Sequence, residues 1–297
     1  MIRLLTWNIS FLAMKGARKR GTYHCLRTIY RHDAVPCSDG NLTCQRNIMD
    51  FLVREIPNHE IVTIIEASTP HIEQVLNEIG PTGKTFVRFY HRTASKEALI
   101  VGYPTAYRVA FQGLFTLELD NSCRPLAIIV FQNPNLILVA VHLPHPTREV
   151  TADDINQSLL KLLEEILGPL DAINLVITGD FNNETPYGGD WHDHLLNPKQ
   201  PTCYTLIAEQ YYRKGERPLT LTYDRFVTSP PIRCRNARTH RDLAMERGML
   251  SDHLPISADI LVSSKTGEHE LNLTSIQYPM QYYPDAWQIL PIVPTTF

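Results

Sequence analysis

Five short segments scattered along the chain each join an apolar run to a polar side chain suited to binding a metal ion or a phosphate group. They are Leu4–Asn8, Ile64–Glu66, Val139–Leu143, Val176–Asn182 and Ser251–Ile256. An apolar run of this kind is typical of a buried strand, and proteins build their sites where such strands end. The set predicts that five distant strand ends meet in one active centre.

The residue types at these ends suit metal-assisted hydrolysis of a phosphate ester. That reaction needs a positioned water and neutralisation of the charge that grows on the phosphoryl oxygens. Glu66 is the first choice as a metal ligand, with Asn8 and Asp252 beside it, because a few hard oxygen ligands suit Mg²⁺. Mn²⁺ is expected to substitute for Mg²⁺, since hard oxygen sites discriminate poorly between them.

The remaining polar residues of the set predict the groups that act on water and phosphate. Asp180, delivered by a turn at Gly179, is the expected base for the attacking water, and Asn182 is the expected donor to a phosphate oxygen. His142 and His253 are expected to be imidazolium ions that donate hydrogen bonds to the phosphate. A histidine charged in this way needs a carboxylate partner to hold its charge and tautomer.

Taken together, in this order, the motifs resemble the endonuclease/exonuclease/phosphatase superfamily. This metal-dependent fold is shared by DNase I, exonuclease III, deadenylases, neutral sphingomyelinases and inositol polyphosphate 5-phosphatases. The matching motifs extend from residue 1 to about residue 260. The resemblance implies that an acid before the last histidine orients that histidine, and Asp224, in the segment Tyr223–Val227, stands where this acid is expected.

Departures from the family pattern leave the substrate open. Ile65 stands where relatives commonly carry Gln, and Ser10 stands where abasic-site nucleases often carry an acid, so both weaken an abasic-endonuclease assignment. The run Gly179–Asn182 is shared by nucleases, deadenylases and sphingomyelinases, and no 5-phosphatase signature is evident. Candidate substrate contacts, chosen because they lie near the motifs in sequence, are Arg124, Tyr103, Arg148 and Trp191.

Short strands rich in Val, Ile, Phe and Tyr alternate with helices whose apolar residues lie on one side. Strands are predicted at 2–6, 61–66, 85–91, 98–102, 107–113, 126–131, 136–142, 175–178, 223–227 and 256–261. Helices are predicted from about Thr43 to Glu55, and from Thr151, where Asp154 forms a capping-box-like start, to Gly168. This pattern, and the resemblance, predict an α/β (α+β) four-layer α/β/β/α sandwich. Its two mainly antiparallel sheets pack face to face, with helices outside.

The bulk composition is that of an ordinary globular protein, which we expect to be a monomer. The chain has 297 residues and a net charge of −3, which argues against a strongly basic nucleic-acid coat. Because site residues come from both ends of residues 1–262, we expect a single domain there, followed by a Pro- and Tyr-rich tail at 263–297 packed on it. An irregular basic insertion at about 15–45 is either a solvated loop or a polyanion contact.

Cysteine usage and hydropathy predict an intracellular protein, with nucleus and cytoplasm both open. The irregular spacing of His24, Cys25, His32, Cys37 and Cys44 disfavours a zinc site. No apolar run approaches the roughly 18 residues that span a bilayer, and no signal-peptide core is evident.

Three functions are therefore weighed. The expected function is a Mg²⁺-dependent phosphodiesterase that cleaves nucleic acid or a nucleic-acid adduct by in-line water attack. The alternative is a hydrolase of a small phosphate ester of the phosphoinositide or sphingomyelin type. A third possibility is a non-catalytic binding scaffold, which has no physical need for the full set of polar residues.

Overall fold

A computed structural model describes residues 1–9, 42–90, 98–119, 122–196, 200–204, 220–240, 251, 253–262, 282–283 and 287–290. Asp252, Ser10, most of the basic insertion and most of the tail lie outside these residues. So do His24, Cys25, His32 and Cys37, and the side chain of Cys44.

The described chain contains sixteen strands and three α-helices. The strands are β1 Ile2–Asn8, β2 Ile61–Ala67, β3 Lys84–Phe89, β4 Ala98–Pro104, β5 Arg108–Leu119, β6 Ser122–Asn133, β7 Leu136–His142, β8 Leu175–Asp180, β9 His192–His194, β10 Cys203–Tyr204, β11 Thr220–Leu221, β12 Asp224–Thr228, β13 Arg233–Thr239, β14 Ile256–Leu261, β15 Tyr282–Tyr283 and β16 Trp287–Ile289. The helices are α1 Leu42–Glu55, α2 Thr69–Ile79 and α3 Ala152–Leu167, and a 3₁₀ turn spans Ile56–Asn58.

Fourteen of the strands form two seven-stranded sheets. The first sheet has the order β13-β14-β1-β2-β4-β3-β16, and the second has the order β15-β5-β6-β7-β8-β12-β9. Each sheet contains one parallel pair, β1 with β2 and β7 with β8, and every other pairing is antiparallel. The carboxyl ends of both parallel pairs carry polar residues, so two pairs of strand ends supply the site.

Three apolar clusters hold four layers together. One joins α1 and α2 to the outer face of the first sheet, a second lies between the sheets, and a third joins α3 to the outer face of the second sheet. The two-sheet sandwich with outer helices is as predicted. The free energy of burying these side chains, about 25 cal/mol per Å² of apolar surface, drives the layers together.

Local signals explain most helix boundaries. Thr151 caps α3, accepting from the backbone of Asp154, whose carboxylate accepts from the backbone of Thr151 in return. The sequence reading did not identify α2, although Ile72, Val75 and Leu76 are spaced as a helical stripe behind Pro70 at its start. It also did not identify β13, whose arginines hide the usual apolar alternation.

The described pieces of the tail add one strand to each sheet. Tyr282–Tyr283 pairs with β5, and Trp287–Ile289 pairs with β3. The division of the chain near residue 262 stays a prediction. Within the part of the chain that the structure describes, no helix is both long and apolar enough to cross a bilayer.

Candidate active site

The alternation of side chains along the strands brings the predicted residues to one place. Thr6 of β1 and Thr178 of β8 face each other between the sheets, with their hydroxyl oxygens 2.8 Å apart. Residues two positions further along each strand face the same way. Asn8 and Asp180 therefore meet at the end of the inter-sheet layer, and Asn8 Nδ2 donates to Asp180 Oδ2 at 2.9 Å.

The second sheet supplies three neighbouring groups by register alone. His142 lies opposite Asp180 in the parallel pair of β7 and β8, and Asp224 lies opposite Asp180 in the antiparallel pair of β8 and β12. All three side chains are buried. Strand pairing therefore fixes an imidazole and two carboxylates side by side.

Asp180 is the centre of the cluster. Its Oδ2 lies 3.5 Å from His253 Nε2 and 3.8 Å from His142 Nε2, and its Oδ1 accepts from the Asn182 backbone at 2.9 Å. Burial raises the pKa of its carboxyl, but His253, His142 and the hydrogen bonds outweigh burial, and the pKa of Asp180 lies below its ordinary value. Asp180 is thus an ionised carboxylate held in a largely dry pocket.

Gly179 allows Asp180 to be delivered in this way. Its φ is +144°, and a Cβ added there would lie 2.0 Å from the Val141 carbonyl oxygen. Asn182, two residues past Asp180, has a left-handed φ of 52°. Its Nδ2 donates to the Leu143 carbonyl at 2.7 Å, which leaves one of its two amide hydrogens for another acceptor. Donation by Asn182 to a phosphate stays a prediction.

Asp224 orients His253. Asp224 Oδ2 lies 2.7 Å from His253 Nδ1, and His253 Nε2 points toward Asp180. The backbone of His253 is held by Trp7, whose indole Nε1 donates to its carbonyl at 3.0 Å. Burial raises the pKa of Asp224 to about 6, against the opposing pull of His253. At neutral pH Asp224 therefore remains a carboxylate beside the imidazole.

His142 departs from its predicted charge. Burial lowers the pKa of His142 to about 4, and Arg124 adds to the lowering although Asp180 opposes it. His142 is therefore neutral near pH 7 in the free protein, and an imidazolium form that donates to a bound phosphate stays a prediction. Its Nε2 faces Glu66 Oε1 at 3.3 Å.

A kink in β2 turns Glu66 into the site. Ile64 packs under the helices on the outer face of the sheet. If the side chains alternated strictly, Glu66 would point to that same outer face. The pairing of β2 with β4 shifts between Ile64 and Ala67, and Glu66 has a left-handed φ of 53°. A bulge of this kind re-aims a side chain, and left-handed backbone at a residue other than glycine is concentrated at functional sites.

The oxygen donors at this edge fit a hard divalent cation. The Glu66 side chain retains 23% of its exposure, so its carboxylate reaches both the pocket and solvent. Mg²⁺ keeps several waters and binds through one or two protein carboxylates, so a sparse donor set is sufficient. Among the described residues, no group of three or more His, Cys, Asp and Glu side chains forms a metal cage, and Asp252 lies outside them.

A buried arginine supports the loop after Asp180, and the sequence reading did not identify it. Arg225, with no exposed surface, donates from Nη1 to Asp193 Oδ2 at 2.6 Å and to the Thr185 carbonyl at 3.2 Å. Its guanidinium lies 4.6 Å from the centre of the Phe181 ring. Burial raises the pKa of Asp193 to about 6 although Arg225 opposes it, so this ion pair persists at neutral pH. Arg225 follows Asp224 directly, so one strand serves both the histidine and the loop.

The candidate substrate contacts fall in different environments. Tyr103 is 5% exposed, lies in the inter-sheet core and donates to Gln112, so it is not carried into the proposed site. Arg124 is close enough to His142 to lower its pKa. Arg148 is exposed on the loop after β7, and Trp191 lies beside Tyr187 with ring centroids 6.3 Å apart.

Three residues near the site have no predicted role. Tyr223 and His145 meet edge to face with ring centroids 6.3 Å apart, and Asp180 and His253 both influence the pKa of Tyr223. Burial is the main cause that raises this pKa. The buried thiol of Cys203 lies 3.6 Å from His253 Nε2. An aromatic residue and a cysteine carry no spacing signal, so contact geometry was needed to find them.

The architecture is shared with solved structures of low sequence identity. D. rerio TDP2 complexed with single strand DNA product has a TM-score of 0.58 and is 14% identical. The match covers 88% of this chain and 99% of that one. A Bacteroides thetaiotaomicron endonuclease/exonuclease/phosphatase family protein has a TM-score of 0.57 at 13% identity, with coverage of 88% of this chain and 98% of that one. The present chain has the endonuclease/exonuclease/phosphatase fold.

A third structure with the endonuclease/exonuclease/phosphatase fold shows the range of proteins that share it. The Bacteroides thetaiotaomicron mannosyl-6-phosphatase has a TM-score of 0.56 and is 13% identical, with coverage of 88% of this chain and 100% of that one. No protein-family model and no curated protein matches the sequence. The predicted superfamily fold is therefore confirmed by structure and not by sequence similarity.

Proposed function

We propose that the protein is a Mg²⁺-dependent phosphodiesterase that cleaves nucleic acid or a nucleic-acid adduct by in-line water attack. One observation carries the proposal: the ionised Asp180 lies beside His253 Nε2, and Asp224 holds the other nitrogen of that imidazole. A buried base, an oriented imidazole and an amide donor on one pocket are the groups that hydrolysis requires. A binding scaffold has no need to bury these charges together.

Each group in the pocket has a defined task in this reaction. Asp180 accepts the proton of the attacking water, because its lowered pKa keeps it ionised at neutral pH. Asn8 fixes that carboxylate from the opposite sheet. His253 Nε2 donates to a phosphoryl oxygen, while Asp224 holds the proton on Nδ1 and so stabilises the charged ring.

Glu66 and Asn8, with Asp252 of the Ser251–His253 segment, would hold Mg²⁺. The bound ion supplies neutralisation of the phosphoryl oxygens and orients the substrate phosphate. Neutral His142 directs its Nε2 at Glu66, so it donates to that carboxylate when the proton is on Nε2. His142 is thereby a residue that positions Glu66 and not a cation that binds phosphate.

The choice of a nucleic-acid substrate is supported by a neighbour with the same fold, D. rerio TDP2, whose structure is a complex with single strand DNA product. A second candidate, hydrolysis of a small phosphate ester, is supported by the neighbour that is a mannosyl-6-phosphatase. A nuclease releases counterions from a polyanion, so its activity falls steeply with salt, whereas a small-ester hydrolase shows little such slope.

The test is a substrate panel measured with Mg²⁺ and with chelator. The panel contains single-stranded DNA, abasic duplex DNA, a 5′-tyrosyl adduct, poly(A) RNA, sphingomyelin and a sugar phosphate. We expect cleavage of a nucleic-acid substrate that stops on chelation and falls by about 10² to 10⁴ in Asp180→Asn. Asp171→Asn, an exposed control, should retain activity. Hydrolysis of the sugar phosphate or lipid alone would favour the second candidate, and no cleavage of any substrate would favour a scaffold.

A further inference from the structure

The outer face of the first sheet carries a row of arginines on strand β13. Among the described strands, β13 is the last of that sheet, and it pairs with β14. Arg233, Arg235 and Arg238 on this strand are all exposed. In the part of the chain that the structure describes, none of the three forms an ion pair with an acidic side chain. We call these three residues the arginine row.

Register shows that the arginine row lies on one side of the sheet. Cys234 and Ala237 pack against the inter-sheet core, so the residues beside them point to the opposite, outer face. Arg238 lies opposite Ser257, and Ser257 lies opposite Leu5, which packs under the helices of the outer face. A bulge between Arg235 and Arg238 keeps all three arginines on that face although their spacing is uneven.

A cavity of about 400 Å³ opens beside the arginine row. Its polar lining comes from Arg238, Asn236, Arg3, His59, Ser257 and Asp259. The Arg3 guanidinium is already paired with Glu60 at 2.9 Å, and the Asp259 carboxylate accepts from Asn236 Nδ2 at 2.6 Å. Arg238 is the member of the arginine row that lines this cavity, and it faces solvent without an acidic ion-pair partner among the described residues.

The row begins near the candidate active site and leads away from it. Arg238 is level with Leu5, three residues below Asn8, and Arg233 is level with Leu261, beyond Ile2. At about 3.3 Å per residue, the row covers a stretch about 10 to 23 Å from the end of β1. A molecule that contacts both the active site and the row has to span this distance, and an extended chain with repeated negative charge is suited to do so.

We propose that the arginine row is a secondary binding surface for the phosphate backbone of a nucleic-acid strand whose scissile bond lies at the active site. Arginine suits this role because its fork of donors matches phosphate oxygens. The proposal rests on the proposed function in one respect, since it assigns the far end of the same substrate. The competing explanation is that charge at a sheet edge only prevents edge-to-edge pairing.

The test compares two double variants that remove the same charge. Arg233→Gln/Arg235→Gln alters the row, and Arg108→Gln/Lys161→Gln removes exposed cations from β5 and α3. Binding is measured by fluorescence anisotropy, in the Asp180→Asn background, with a single strand of about 12 nucleotides, within the length that such surfaces cover. We expect the row variant to bind about tenfold more weakly, and its salt slope to fall by about 1.4, since each phosphate contact contributes about 0.7.

Measurements of kcat/KM on long and short substrates test the arginine row separately from the proposed function. In the active background, the ratio of kcat/KM for the long strand to kcat/KM for a dinucleotide should fall about tenfold in the row variant and stay constant in the control. Absence of Mg²⁺-dependent dinucleotide cleavage in the parent protein would overturn the proposed function instead. Equal binding by both double variants would overturn the arginine row. Self-association of the row variant with unchanged DNA affinity would show that the arginines protect the edge.

Discussion

The two sheets contribute unequal halves to the candidate site. The second sheet supplies His142, Asp180 and Asp224, which are buried and bonded in fixed positions. The first sheet supplies the buried Asn8 and also Glu66, which is partly exposed and reaches the pocket only through a kink in its strand. Under the proposed function, the groups assigned to proton transfer are buried and held in place, whereas the carboxylate assigned to the cation stays open to water. A hydrated ion needs such an opening, and a general base needs the opposite.

The contrast continues beneath the surface of the site. Beside Asp224, Arg225 joins the loop after β8 to strand β9 through the Thr185 carbonyl and the Asp193 carboxylate. No comparable buried ion pair lies under Glu66 among the described residues. The side chains of the second sheet are therefore held in place by a buried ion pair. Mutations of Arg225 or Asp193 should affect folding more than mutations beneath Glu66 in the first sheet.

The largest expected effect is on folding, from Arg225→Met. Removing one partner of a buried pair leaves Asp193 unpaired, and it should cost about 3–5 kcal/mol in the free energy of unfolding, measured by denaturant titration. The double variant Arg225→Met/Asp193→Leu should recover part of this loss, because no charge is then left alone. If the single variant is as stable as the parent, Arg225 does not support the loop.

The next effect is on catalysis, from Asp224→Asn. An amide cannot hold the charged imidazole of His253, so kcat should fall by about 10², while the melting temperature changes little. The proton on His253 Nδ1 is observable by NMR in the parent and should lose its carboxylate-bonded shift in the variant. Unchanged kcat would mean that Asp224 is only a structural acid.

A smaller effect, confined to the Mg²⁺ concentration that activity requires, is expected from Glu66→Gln. The Mg²⁺ concentration for half-maximal activity should rise at least about tenfold, with kcat largely restored at saturating Mg²⁺. Glu78→Gln on the exposed side of α2 is the matched control. An unaltered Mg²⁺ requirement would remove Glu66 from the cation half of the site.

The smallest effect concerns the pH dependence of folding stability, through one histidine in or near each sheet. Burial lowers the pKa of His194 and of His240 to about 4 each. The unfolded chain takes up these protons near pH 6.5 and the folded chain only near pH 4, so stability should fall as the pH drops through this window. His240→Gln should make the melting temperature less dependent on pH than in the parent. Equal slopes in parent and variant would contradict the assignment.

Much of the fold was open to prediction because long periodic runs dominate it. The ten predicted strands all overlap observed strands, and the capping box of α3 is formed as expected. The short α2 was missed because its stripe is brief, and β13 because its exposed arginines replace the apolar alternation. An edge strand pairs with another strand on one side only, so fewer of its side chains are buried. The alternation of apolar and polar residues in its sequence is therefore weak.

Site residues could be predicted where their positions follow from strand ends, as for Asn8, Asp180 and His253. The charge of His142 could not, because it depends on burial and on Arg124, which lies on a different strand. Tyr103 illustrates the converse, since its closeness in sequence to a motif did not prevent it from packing in the core. Tertiary contacts produce the bulge that turns Glu66 and the ion pair of Arg225. The spacing of residues along the sequence gives no signal for either of them.

The insertion of β14 between β13 and β1 has a consequence for biosynthesis. Among the described strands β1 comes first in the sequence, and its antiparallel partner β14 follows more than two hundred residues later, just after His253. A nascent or prematurely terminated chain therefore carries Asn8, Glu66 and Asp180 without the histidine and strand that complete their surroundings. Under the proposed function, a chain that stops before His253 and β14 would therefore lack hydrolytic activity.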